Sequence, residues 1–269
     1  MVINQLYKNL DKYKKTFFHA EPFPHLVLDE FIDPSLFADL TKILKTSEIV
    51  LGKHFNSAVE MNKGISLNTK LPEKLKEIIN YLNSENWVEN LSKLTEIHDI
   101  FPVTSTNKHL ANYHEMRESG NLAPHVDHSH EPTLGKPHVL NIIIYLSEDW
   151  NSNFGGNTLL YDAKGKEIKL KIPYKKNRAV IFLHTPYSFH GVEEISNNVK
   201  TVRKTIYVDY YSNSSKPFNN IKLNFSKKWF KHGTTFVFPS KLDYLKPKNL
   251  IYTKTLIKYK IFELFSRFT

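Results

Sequence analysis

The chain of 269 residues contains no cysteine. Disulfides, thiolate metal sites and a cysteine nucleophile are therefore excluded. It also lacks any apolar run approaching the ~18 residues of a membrane-crossing helix. Its opening stretch, MVINQLYKNLDKYKK, has no apolar core of a secretory signal. A cytoplasmic protein is expected. No internal repeat is visible. An excess of one charge is missing from most of the chain: the first 213 residues hold 25 basic and 25 acidic residues. The tail from Ser214 to Thr269 holds twelve basic residues against Asp243 and Glu263, so the net charge of +10 belongs to it alone. A neutral body carries no domain-wide footprint for nucleic acid.

What is present suits a packed core, with 41% hydrophobic and 13% aromatic residues. Residues 23–32, FPHLVLDEFI, read as a strand. Asp33-Pro34 then reads as a helix start, Asp as the cap and Pro at the first helical position. Leu36, Leu40, Ile43 and Leu44 follow at helical spacing. Residues 72–82 and 84–97 carry similar apolar stripes, which suit packing against a sheet. After residue 98 the pattern changes to short strands, expected near 109–117, 122–127, 138–146, 157–161, 167–173, 178–184, 189–193 and 203–211. Turn signals separate them, among them Ser119-Gly120, Gly155-Gly156 and Lys164-Gly165. So many short strands in about a hundred residues predict a sandwich or a jelly roll. The fold class expected is α+β: a double-stranded β-helix core with N-terminal helices on one sheet. The domain would span 1–213, helical to about 97 and jelly roll from about 98, followed by a basic, partly helical extension over 214–269.

The stretch Pro124-His125-Val126-Asp127-His128 carries the chemistry. Residues i and i+2 of a strand share a face, so His125 and Asp127 reach the same place. His190, in Ser188-Phe189-His190-Gly191-Val192, is the best third partner. Two His and one carboxylate on one face of a metal leave three positions open, the facial arrangement of non-haem iron(II) oxygenases. His128 and His130 are rivals by position, but alternation turns His128 away. Thirteen His in the chain make an isolated His-x-Asp pair weak evidence. Arg203-Lys204-Thr205 opens the last expected strand. Alternation puts Arg203, Thr205, Tyr207 and Asp209 on one face, with Lys204 on the other. A buried Arg with a neighbouring Thr is suited to gripping one carboxylate.

Residues from about 22 to 213 resemble an iron(II)- and 2-oxoglutarate-dependent dioxygenase of the prolyl-hydroxylase-like branch. The resemblance rests on several stretches in order. They are the Pro22-Phe23-Pro24-His25 entry with Asp33-Pro34, the strand Asn141 to Tyr145 running on to Asp149-Trp150, and the Gly155-Gly156 pair. Pro173 with Asn177-Arg178 and Ile181-Phe182, and the closing strand Arg203 to Tyr211, complete it. It implies iron(II) held by His125, Asp127 and His190, with 2-oxoglutarate and O2 as co-substrates and succinate and CO2 as products. It implies that Arg203 pairs the distal carboxylate of 2-oxoglutarate, with Tyr145 as a hydroxyl partner on the same strand face as Asn141. Tyr113 would contact the co-substrate near the metal. In one departure, Asp209 stands where the hypoxia-sensing prolyl hydroxylases have a bulky aromatic, which implies a different substrate pocket.

The substrate stays open between a prolyl residue, a free amino acid and a sugar or glycan. A non-catalytic metal- or sugar-binding jelly roll is the alternative, although such a binder has no use for Arg203 with Thr205 and Tyr145. The tail leaves several partners open. Lys227, Lys228, Trp229, Phe230 and Lys231 interleave charge with aromatics, as single-strand binders do. A basic amphipathic helix expected at about 249–268 suits packing, a homodimer or a membrane surface equally. All candidate site residues precede Ser214, so the tail is expected to be dispensable for co-substrate binding.

Overall fold

The computed structural model describes residues 1–103, 112–218, 229–238 and 240–266. The chain runs through α1 (Lys14–His19), β1 (His25–Leu28), α2 (Pro34–Thr46), the hairpin of β2 (Lys53–Phe55) and β3 (Glu60–Ser66), α3 (Glu73–Leu82) and α4 (Glu85–Thr95). It continues with β4 (Ile100–Pro102), β5 (Tyr113–Val126), β6 (His138–Tyr145), β7 (Thr158–Tyr161), β8 (Ile168–Ile172), β9 (Ala179–Leu183), β10 (His190–Val192), β11 (Arg203–Ser212), β12 (Thr235–Phe236) and α5 (Leu250–Phe265). The strands pair antiparallel in the order β1-β9-β6-β11-β5-β10-β7-β8, with β3 and β12 added to β5 and β4 to β11. This curled sheet is a half-barrel, the double-stranded β-helix core that the strand pattern predicts.

Strand alternation decides what lies on each side. On β6, Leu140, Ile142 and Ile144 face outward and join Ile181 and Leu183 of β9 and Ile206 and Val208 of β11. The apolar stripes of α2 (Leu36, Leu40, Leu44), α3 (Leu75, Ile78, Ile79) and α4 (Trp87, Leu91, Leu94) cover that surface in one continuous core. The alternate residues of the same strands, Ile143, Tyr145, Val180 and Phe182, point into the barrel and pack with Leu160, Ile172 and Tyr174. Every residue of β6 is buried because both faces are covered. Asp33 caps α2 as expected: its carboxylate accepts from the Ser35 and Leu36 backbone N–H groups at 3.0 and 3.3 Å.

Two expected strands, 109–117 and 122–127, are one bent strand, β5; residues 109–111 lie outside the described residues. Its first part pairs with β11 (Met116 opposite Arg203, Tyr113 opposite Ile206) and its second with β10 (His125 opposite His190). The bend lies at Ser119, whose φ is +59°, and Gly120. A Cβ at Gly120 would stand 2.6 Å from the Arg117 carbonyl oxygen, so the chain can fold back on itself there only without a side chain. The turn signal at Ser119-Gly120 is thus a kink in a continuing strand that carries it from pairing with β11 to pairing with β10.

The β2–β3 hairpin, β4, β12 and α1 have no counterpart in the expected elements. The hairpin lies along β5, with Lys63 opposite Met116. The strand expected over 23–32 is confined to His25–Leu28. The described part of the tail is joined to the barrel: Thr235 pairs with Val126 and Phe236 with His125. α5 occupies most of the expected helix, with Phe268 outside the described residues.

Candidate functional site

His125 and His190 stand directly opposite each other in the β5–β10 ladder, with ring centroids 4.3 Å apart. Asp127, just past the end of β5, turns to the same side. Its Oδ1 lies 3.5 Å from His125 Nε2 and its Oδ2 lies 3.4 Å from His190 Nε2. One donor atom from each residue falls within 4.8 Å of the others; this is the sole cluster of its kind among the described residues.

Backbone carbonyls set the orientation of both rings. His125 Nδ1 lies 2.9 Å from the Ala123 oxygen and His190 Nδ1 3.1 Å from the Ser188 oxygen. A carbonyl only accepts, so each Nδ1 carries the proton and each Nε2 keeps its lone pair toward the cluster. Phe236 stacks on His125 at 5.2 Å and Phe182 packs against His190 at 4.8 Å. Asp127 Oδ2 accepts from the Tyr207 hydroxyl at 2.8 Å and from Asn141 Nδ2 at 3.0 Å.

The protonation states are those that a cation requires. Burial, reinforced by His125, lowers the His190 pKa to about 4, so this imidazole is neutral at pH 7. Burial pushes the Asp127 carboxyl up, but His190 and His125 outweigh it and hold the group ionised, well below the usual carboxylate range. Two histidines and one ionised carboxylate form a donor set that can hold iron(II).

The same cavity continues to Arg203 and Thr205, and Lys63, His114, Met116, Thr158 and Tyr207 also line it. Arg203 is buried. Its Nε donates to the Gly156 carbonyl at 2.7 Å, and its guanidinium lies over the rings of Tyr174 (5.1 Å) and Tyr145 (5.5 Å). One terminal guanidinium nitrogen is buried with no hydrogen-bond partner. A buried cation with an unused donor fits an incoming carboxylate. Gly156 is needed for this placement: its φ is +70°, and a Cβ there would crowd Arg203 Cδ at 3.2 Å. Lys204 points away and donates to the Leu44 carbonyl at 2.6 Å.

Not every expected site residue reaches the cavity. Tyr113 is on the opposite face of β5, in the core beneath the helices, and its hydroxyl donates to Glu115 at 2.8 Å. Counting by twos from His125 fails because the register shifts between Leu122 and His125, where three residues of β5 span two of β10; Leu122 and Met116 line the cavity with the opposite parity to His125. His114, stacked on Tyr207 at 5.6 Å, takes the wall position instead. Tyr145 stands behind the wall: its hydroxyl donates to Thr158 Oγ1 at 2.6 Å, so Thr158 presents the hydroxyl to the cavity. Asn141 supports Asp127 and Tyr207. The rivals His128 and His130 stay out of the cluster; His128 pairs with the Tyr211 hydroxyl at 3.0 Å.

Asp209 shares the face of Arg203, Thr205 and Tyr207. Its Oδ1 lies 3.4 Å from His138 Nε2. Burial opposes charge on both groups, but each stabilises the other. The His138 pKa is raised and that of Asp209 is lowered, so the two form an ion pair. His184 stacks on His138 at 4.0 Å and burial keeps it neutral.

A curled jelly roll with two His and one carboxylate facing its interior is the arrangement of non-haem iron(II) oxygenases. A model of the 2OG-Fe(II) oxygenase superfamily matches residues 109–211, the stretch that carries His125, Asp127, His190 and Arg203, and over that stretch the chain is a 2-oxoglutarate-dependent dioxygenase that uses iron(II) and 2-oxoglutarate. Among solved structures, the fold is similar to a prolyl hydroxylase of Trichoplax adhaerens in complex with a hypoxia inducible factor peptide (TM-score 0.52, 17% identity, covering 77% of this chain and 90% of that one). It is also similar to a Pseudomonas putida prolyl-4-hydroxylase (TM-score 0.54, 12% identity, covering 76% and 100%) and a Phytophthora capsici prolyl 4-hydroxylase (0.53, 14%, 82% and 69%). No curated protein matches the chain in sequence.

The placement of the two tyrosines gives a paired test. Removing the hydroxyl that holds Asp127 (Tyr207→Phe) should lower the affinity for a divalent metal by roughly 10–100-fold. Tyr113→Phe should leave it unchanged. Titration of the metal-free protein with cobalt(II) or iron(II) reads both.

Proposed function

We propose that His125, Asp127 and His190 hold the iron(II), that Arg203 with Thr205 holds the distal carboxylate of 2-oxoglutarate, and that the protein hydroxylates a C–H bond of a polar substrate approaching past Asp209. The observation that carries this reading is the unpartnered guanidinium nitrogen of Arg203, buried in the cavity that the His-Asp-His cluster lines. A buried cation with a donor to spare is costly unless an anion comes to it.

Bound iron(II), 2-oxoglutarate and O2 together supply the oxidative decarboxylation that yields succinate and CO2 and delivers an oxygen atom to a C–H bond. The residues of the chain do the rest. Tyr207 and Asn141 hold Asp127 in one orientation, and the Ala123 and Ser188 carbonyls hold the two imidazoles. Arg203, seated on Tyr145 and Tyr174, supplies fixed positive charge at the far end, and Thr158 and Thr205 add hydroxyls to the lining. The apolar residues Met116, Leu122, Ile143 and Val192 limit water between the two ends.

The ion pair of Asp209 and His138 favours a substrate that carries hydrogen-bond donors, such as a free amino acid or a sugar, over one that needs an apolar wall. A prolyl residue in a peptide is the second reading, supported by the naming of the three similar structures as prolyl hydroxylases and by the peptide in one of them.

Two measurements test the reading together. Arg203→Ala should weaken 2-oxoglutarate binding by on the order of 2–5 kcal/mol, while Lys204→Ala, on the other face, should do little; equal losses would contradict the assignment. Succinate release with iron(II) and 2-oxoglutarate should be stimulated by an amino acid or a sugar. Stimulation confined to prolyl peptides would overturn the polar-substrate part.

A further inference from the structure

The tail helix α5 is exposed on the wrong side for a water-facing element. Its inner face is anchored: Tyr259 is fully buried, and its hydroxyl donates to the Pro186 carbonyl at 2.6 Å. Tyr252 packs edge-on against Phe236 at 5.5 Å. The opposite face should then be polar. Instead Ile251, Ile257, Ile261, Phe262, Leu264 and Phe265 are each 46–69% exposed. Leu242 and Leu245, in the short turn before the helix, are 71% and 74% exposed. A cluster of apolar side chains on this scale marks a surface that something covers.

The charges within that surface point to what covers it. Lys254, Ile257, Lys258, Ile261 and Phe265 follow one another at spacings of one to four residues along a single exposed side of α5. The two acids of the segment are already engaged: Asp243 with Lys246 at 2.6 Å and Glu263 with Lys260 at 2.8 Å. Lys241, Lys248, Lys254 and Lys258 have no carboxylate within ion-pair distance among the described residues. The occupant must therefore take up apolar side chains and neutralise cations at the same place. A second copy of this chain, paired through the same face, would offer Lys254 and Lys258 no free carboxylate of that segment, since Asp243 and Glu263 are already engaged. A nucleic acid would neutralise the lysines and leave isoleucine and phenylalanine in water. An anionic lipid surface satisfies both: acyl chains take the apolar side chains, and lysine stems reach along them to the headgroups. α5 has 16 residues, and no helix among the described residues is long and apolar enough to cross a membrane, so the helix lies on the surface.

We propose that the outer face of α5, with Leu242 and Leu245 beside it, is an interfacial anchor that binds the enzyme to an anionic membrane surface. The anchor is rigidly tied to the barrel. Tyr252 touches Phe236, Phe236 stacks on His125, and β12 is hydrogen-bonded to β5. Docking through α5 would hold the barrel at a fixed attitude to the lipid surface.

The test is co-sedimentation of the full chain with vesicles of phosphatidylcholine alone and of phosphatidylcholine with phosphatidylserine. Binding is expected to the anionic vesicles only, weakening as salt is raised. The triple substitution Ile257→Ser, Ile261→Ser, Phe265→Ser should weaken it at least about tenfold, and so should Lys254→Glu with Lys258→Glu. Both variants change exposed positions, so iron(II)-dependent 2-oxoglutarate turnover in solution should stay at the wild-type level and report an intact fold. The proposal is overturned if the folded wild type ignores anionic vesicles. It is equally overturned if the triple variant binds them undiminished, or if the wild type is a dimer that the triple substitution converts to a monomer without any vesicle binding by either.

Discussion

The register of β5 against β10 is the constraint on which the rest of the site depends. His125 faces His190 directly across that ladder, and each ring is fixed by a carbonyl two residues before it. A slip of one residue would turn His190 to the other face of its strand and leave Asp127 with one imidazole. The register is held from outside the pair. β10 is also laddered to β7, with His190 opposite Leu160, and β12 adds Phe236 opposite His125 on the other side of β5. The tail that carries the net charge is thus part of what holds the metal-binding cluster, and removing everything after residue 213 would strip one stacking partner from His125.

Buried charge is distributed along β11 with the same economy. Arg203, Thr205, Tyr207 and Asp209 follow one another on its inner face. A cation stands at one end, a hydroxyl in the middle supports the Asp127 carboxylate, and an anion paired with His138 stands at the other. Asp209 and His138 neutralise each other, and the carboxylate of Asp127 lies beside two imidazoles. Arg203 has aromatic faces and one carbonyl but no carboxylate partner among the described residues. That imbalance is what supports the proposed placement of an anionic co-substrate at the Arg203 end.

Much of this was legible in the sequence because it follows from periodicity two. His125 with Asp127, and Arg203 with Thr205 and Tyr207, share faces by simple alternation, and turn residues bounded most of the strands. The helices were legible through period 3.6 and the Asp33-Pro34 start. What was not legible depended on a break in periodicity or on distant pairing. The bulge between Leu122 and His125 reverses the parity of β5, so Tyr113 lies in the core while His114 lines the cavity. The β2–β3 hairpin and β12 are short, and distant partners on β5 make them strands. Tyr145 and Asn141 were placed on the correct inner face, but Thr158 and Tyr207 stand between them and the cavity, and their side-chain reach is not encoded in spacing.

The measurement closest to the central claim is iron(II) stoichiometry and affinity for single alanine variants at His125, Asp127, His190, His128 and His130. One ion per chain should bind to the wild type and to the His128 and His130 variants, and binding should collapse in the other three. Near-native affinity after His190→Ala, or its loss after His128→Ala, would contradict the account.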